Sequence, residues 1–157
     1  MDDPKFDVLK LENQLCFPLY AAAKETVKLY RPLLEKLNLT YTQYIAMMAF
    51  WEYKRMNVKE LGEKLYLDSG TLTPVLKSLE AKGYVRRYRS TEDERVLLIE
   101  ATEAGEALRE QALLIPTKMS SCVRLNCEEA RTLYDLLYKL LSAVEQFCPP
   151  DSKKEDR

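Results

Sequence analysis

Apolar residues recur at close to helical spacing from residue 8 to residue 30, and Pro18 either opens the main helix after a short lead-in or kinks it. Pro32 is expected to restart the chain into "RPLLEKL". Thr40 followed by Gln43 has the form of a capping box opening "YTQYIAMMAFWEY", which is apolar nearly all round and so predicts a buried core helix. Asn57 with Glu60 caps a shorter helix whose Val58, Leu61 and Leu65 face inward, and "YLDSG" supplies a turn. Leu72, Val75, Leu76 and Leu79 then repeat at i, i+3, i+4 and i+7 in a helix that starts at Ser69 or Thr71 and ends before Gly83. Pro74 fits that helix only in or close to its first turn. Two short helices joined by a tight turn predict a helix-turn-helix.

Beyond Gly83, "YVRRYRS" and "RVLLIEAT" are β-prone runs separated by the polar "TEDE", which predicts a hairpin and, with the helices before it, a winged helix. Thr102 caps "EAGEALREQALLIPTKM", and Asn126 with Glu129 caps "CEEARTLYDLLYKLLSAVEQF". The latter carries an apolar face of Leu133, Leu137, Leu140, Leu141, Val144 and Phe147, widened by Tyr134, Leu136 and Tyr138. One small winged helix cannot cover so wide a face, so a second subunit is expected against it, making a homodimer. The predicted fold class is α+β, mainly α, in a single domain over 1–157. Within it, 57–101 would form the DNA-binding helix-turn-helix and wing, and 8–37 and 102–148 the dimerisation helices.

Composition narrows the chemistry. A chain of 157 residues that is 46% apolar suits one core. It has no histidine, which removes Cys-His and Ser-His pairs and imidazole zinc sites. The cysteines at 16, 122, 127 and 148 are too irregularly placed for a disulfide framework or a four-thiolate zinc site, so reduced thiols, no metal and no cofactor are expected. No apolar run approaches the roughly 20 residues that span a bilayer, and "MDDPKFDVLKLENQ" is too acidic for a signal peptide, so a cytoplasmic location without membrane contact is expected.

A net charge of −1 means that any affinity for a polyanion must come from local clustering. The outward residues of the second helix are Ser69, Thr71, Thr73 and Lys77, which can bond base edges or phosphates in the major groove. Lys82, Arg86, Arg87 and Arg89 place four positive charges in eight residues with no intervening acid, and Arg95 stands across the hairpin tip. Such a wing can cross phosphates and push an arginine into the minor groove, with Asp93 orienting the Arg95 guanidinium. An isolated basic run is more often a solvated strand; its place directly after a helix-turn-helix favours double-stranded DNA. A dimer would present two such units to an inverted-repeat operator.

Taken together, "KLENQLCFPLY", "YLDSGTLTP" and "STEDERVLLI" resemble the MarR family of winged-helix repressors, and within it the organic-hydroperoxide sensors of the OhrR type, over nearly the whole chain. The resemblance implies a dimer that holds its operator when reduced and releases it when organic hydroperoxides oxidise Cys16. It makes Tyr30 and Tyr41, from the partner subunit, hydrogen-bond donors to that sulfur. It also implies either a resolving cysteine, with Cys122 the better positional match and Cys127 second, or a low-molecular-weight external thiol. The thiolate is the attacking form, so a sensor needs a cysteine pKa below the ordinary value of about 8.5. With Pro18 as first helical residue, Cys16 would lie just outside a helix N-terminus, which favours the anion. Buried free cysteine is commonly inert, so two other readings stand beside this one. One is a MarR-type repressor released by a small aromatic ligand, with Cys16 incidental; the other is a thiol-dependent peroxidase, which leaves the basic wing without a role.

Overall fold

The computed structural model describes residues 4–91 and 95–147 of the protein. Two short 3₁₀ turns, Pro4–Leu9 and Leu11–Asn13, lead into α1 (Cys16–Leu34). The helix therefore begins two residues before Pro18 rather than at it. Pro18 lies in the first turn, where its missing N–H removes no intrahelical bond. Pro32 does not restart the chain as expected: α1 runs through it to Leu34, because a proline in the last turn removes only one bond. A 3₁₀ turn, Glu35–Leu37, then closes on Asn38 in the left-handed region (φ 54°), and the Leu39 N–H bonds back to the Leu34 carbonyl at 3.0 Å.

The Thr40–Gln43 capping box opens α2 (Tyr41–Tyr53), whose Tyr44, Ala46, Met47, Phe50 and Trp51 are buried at the centre of the core. A strand that the hydrophobic pattern did not predict, β1 (Arg55–Asn57), follows directly. The Asn57–Glu60 capping box then starts α3 (Val58–Leu65). Leu61 is fully buried, while Val58 and Leu65 are only half-buried against the core. Tyr66, left-handed at φ 56°, ends α3 and turns the chain into α4 (Ser69–Ala81). In α4, Leu72, Leu76 and Leu79 are buried. Pro74 sits past the first turn and is accommodated inside the helix.

Gly83 (φ 73°) closes α4, with the Tyr84 N–H on the Leu79 carbonyl at 3.0 Å. The hairpin β2 (Val85–Arg89) and β3 (Leu97–Ala101) pairs antiparallel, and β1 adds to the other edge of β3. The wing is thus a three-stranded sheet in the order β1-β3-β2, with Met56, Ile99 and Val85 buried. Glu92, Asp93 and Glu94 lie outside the described residues.

Thr102 caps α5 (Glu103–Ala112) through the Gly105 N–H at 3.1 Å. A Cβ at Gly105 would overlap the Tyr84 carbonyl oxygen, so glycine is what lets α5 lie against the link between α4 and β2. The helix expected to continue through "LLIPTKM" breaks at Leu113, where α6 (Leu114–Val123) begins; Pro116 lacks the N–H that would have continued the ladder. Asn126 caps α7 (Cys127–Phe147) as expected, accepting from the Glu128 and Glu129 N–H groups at 2.9 Å. No residue of α7 is buried, and Leu133, Leu136, Leu140, Leu141, Val144 and Phe147 stand exposed on it.

Candidate functional site

Asp68 is the N-cap of α4: its carboxylate accepts from the Thr71 N–H at 2.9 Å and from the Thr71 hydroxyl at 3.0 Å. These bonds, the backbone one first, hold the Asp68 carboxyl below its usual range. Ser69, Thr73 and Lys77 follow at i, i+4 and i+8 along one exposed line, with exposed Thr71 beside it. The Thr73 hydroxyl donates to the Ser69 carbonyl at 2.6 Å. Both threonine hydroxyl protons are therefore committed inside the helix, which leaves their lone pairs to accept from base amino groups.

The wing arginines, all expected to face DNA, are not placed alike. Arg87 reaches back from β2 to Glu80 on α4, with Nε 2.8 Å from Oε2. That bond holds the Glu80 carboxyl low and raises the guanidinium. Arg86 bonds Glu100, its partner across the β2–β3 register, at 2.6 Å, and the Tyr88 hydroxyl donates to the other Glu100 oxygen at 2.8 Å. Arg89 and Arg95 lie at the exposed tip, where with Ser90 and Thr91 they line an open concavity, and Arg89 donates to the Arg95 carbonyl at 3.3 Å. Asp93, predicted to orient Arg95, falls outside the described residues. Neither carboxylate was read from the sequence: Glu100 could have been found only by setting the hairpin register, and Glu80, on another element, left no signal.

Cys16 is the first residue of α1, exposed, with exposed Leu15, Phe17, Leu19 and Tyr20 around it. It lies within the helix terminus and not outside it, still where the first turn leaves unpaired N–H groups. Tyr30 lies fourteen residues further along the same helix, about 21 Å away at a rise of 1.5 Å per residue. Its ring meets that of Tyr41 edge to face, with centroids 4.9 Å apart, and Tyr44 stands 6.1 Å from it. Burial, then the neighbouring Tyr30, pushes the Tyr41 phenol up, so it stays a protonated donor across the physiological range. One chain thus assembles the tyrosine pair but cannot bring its own Cys16 to it. Cys122, near the end of α6, and Cys127, at the start of α7, are exposed free thiols; Cys148 falls outside the described residues. Among the described residues no three or more cysteines and carboxylates cluster as a metal site.

A family profile described as transcriptional regulator SarA/Rot matches residues 28–111. The organic hydroperoxide resistance transcriptional regulator of Bacillus subtilis (strain 168) is 51% identical over 142 residues, which cover 90% of this chain and 97% of that protein. Reduced AbfR bound to DNA superposes with a TM-score of 0.72 at 33% identity, covering 89% of this chain and 97% of that one. Overoxidized AbfR bound to DNA gives a TM-score of 0.70 at 32% identity over 89% and 98%; AbfR is from Staphylococcus epidermidis. A mutant MarR from E. coli on operator DNA shares the fold, with a TM-score of 0.76 at 24% identity over 89% and 99%.

The helix-turn-helix, the three-stranded wing and the flanking helices define a winged-helix transcriptional regulator. The chain belongs to the MarR family of these regulators, in its organic-hydroperoxide-responsive OhrR branch.

Proposed function

We propose that this protein is a redox-sensing repressor, working in the cytoplasm as a homodimer, that holds an inverted-repeat operator while Cys16 is reduced and releases it when an organic hydroperoxide oxidises Cys16. The observation that carries this reading is the separation of Cys16 from the Tyr30–Tyr41 pair along one helix. A second copy, docked through the uncovered face of α7, would bring a tyrosine pair to each sulfur. The similarity to the hydroperoxide-resistance regulator and to DNA-bound AbfR supports it.

In the chemical step the Cys16 thiolate attacks an oxygen of the hydroperoxide. The O–O bond breaks, the alcohol leaves with a proton, and sulfur becomes a sulfenic acid. A thiol then displaces the sulfenic oxygen as water to give a disulfide. That thiol is Cys122 or Cys127 of the other subunit, or a small external one. The apolar side chains of Leu15, Phe17 and Leu19 favour a hydrocarbon-bearing peroxide over hydrogen peroxide. On DNA, Ser69, Thr71, Thr73 and Lys77 face the major groove, and Arg86, Arg89 and Arg95 face the phosphates and the minor groove beside it. Arg87 orients the wing from behind.

The deciding experiment is fluorescence anisotropy of a promoter duplex with wild type and Cys16→Ser, with and without stoichiometric cumene hydroperoxide. Release of wild type alone is expected; release of both would make Cys16 incidental. The reading in which an aromatic ligand drives release would then gain. Its place would be the cleft lined by Leu33, Lys36, Leu37, Leu114, Ile115 and Lys118 between the end of α1 and α6.

A further inference from the structure

Among the described residues Gln43 is the one buried polar side chain, set in a helix otherwise chosen for apolar packing. Its carboxamide oxygen accepts from the Thr40 N–H at 3.0 Å and from the Lys82 ammonium at 2.9 Å. Its nitrogen donates to the Ser78 hydroxyl of α4 at 2.9 Å. The Lys82 ammonium also donates to the Asn38 carbonyl, at 2.6 Å, in the turn that joins α1 to α2. One buried group therefore grips the first turn of α2, the α1–α2 connection and the last turns of α4.

We propose that Gln43, Ser78 and Lys82 form the joint through which a displacement at the Tyr30–Tyr41 pair reaches the recognition helix. The proposal rests on the redox reading given above. Tyr41 and Gln43 occupy the same first turn of α2, and the capping box makes that turn move as one piece. An apolar contact between α2 and α4 could slide under load. A satisfied buried carboxamide cannot, because each bond it loses leaves a polar group unpaired in the core. The grip is at the C-terminal end of α4, while Ser69, Thr71 and Thr73 lie at the other end. Ser69 is about 14 Å from Ser78 along the helix, so a tilt of about 10° at the joint shifts Ser69 by about 2 Å. Hydrogen bonds to base edges do not survive such a shift. Burial also holds the Lys82 ammonium below the usual lysine range, in keeping with its place inside the joint.

The test compares operator affinity before and after stoichiometric cumene hydroperoxide for wild type, Ser78→Ala, Ser78→Thr and Lys82→Met. The duplex is one selected by binding to reduced wild-type protein. Ser78 faces α2 and not DNA, so reduced Ser78→Ala should bind within about twofold of wild type. Its ratio of oxidised to reduced Kd should fall about tenfold below the wild-type ratio. Lys82→Met should lower the same ratio, and Ser78→Thr, which keeps the hydroxyl, should restore it. Titration of the Cys16 thiol should show unchanged oxidation throughout. A wild-type ratio in Ser78→Ala and Lys82→Met, or a parallel weakening of both Kd values with the ratio kept, would overturn the joint and leave the redox reading standing. If wild type itself stays on DNA after oxidation, the redox reading falls and the joint with it.

Discussion

Arg87 and Glu80 are tied across two elements, the guanidinium of the wing strand β2 lying on the carboxylate of the recognition helix α4 at 2.8 Å. The pair links the two surfaces proposed to meet DNA. It also neutralises Arg87, so not every arginine of "RRYR" counts equally against phosphate.

The salt dependence of operator binding should separate these roles. Arg89→Ala at the hairpin tip should weaken binding at all sequences and reduce the slope of log K against log salt by about 1. Arg87→Ala should weaken binding with little change in slope, because it loses wing orientation and not a phosphate contact. Anisotropy titrations at several salt concentrations measure both; equal slope losses would place Arg87 on DNA.

Stability should fall in acid through three carboxyl groups held below their usual range. Asp68 is held there by the Thr71 N–H, Glu80 by Arg87, and Glu100 by the Tyr88 hydroxyl first and Arg86 after it. A folded-state value below the unfolded one adds stability that is complete above about pH 5 and is lost as the pH falls through the depressed values. The urea midpoint should therefore hold on the neutral side and drop in acid. In Glu80→Gln that drop should be shallower.

Removing the uncovered apolar surface should cost assembly and not folding. Leu141→Asp on α7 changes an exposed residue of a helix with no buried position, so helicity by circular dichroism should persist. The mass by light scattering should fall to that of one chain. Operator affinity should drop about a hundredfold as two linked half-site contacts become one. An unchanged mass would place the subunit contact elsewhere.

Leu61 anchors α3 in the core with no exposed surface. Leu61→Ala should lower stability by about 2–5 kcal/mol in urea titrations. The loss should carry operator binding down with it, since α3 supports the turn into α4.

Much of this architecture was legible because it is written locally. The side-chain oxygens of Thr40, Asn57, Thr102 and Asn126 announce four helix starts, and Gly83 one helix end. β1 was not legible: Arg-Met-Asn is too short for an alternation, and it is a strand only because β3 offers it an edge. Pro32 misled because its cost depends on distance from the helix end, which periodicity does not locate. The exposed line of Ser69, Thr73 and Lys77 followed from spacing. The Arg87–Glu80 pair and the Gln43 bonds did not, since both join residues that only the folded chain brings together.

Trp51, the single tryptophan of the chain, is 7% exposed and donates its indole N–H to the Gly105 carbonyl at 2.9 Å. Its emission therefore has one origin, the seam where the core helix meets α5. A blue-shifted band reports that seam closed, and a red shift during peroxide treatment would time its opening on an unlabelled protein, with no dye and no DNA in the cuvette.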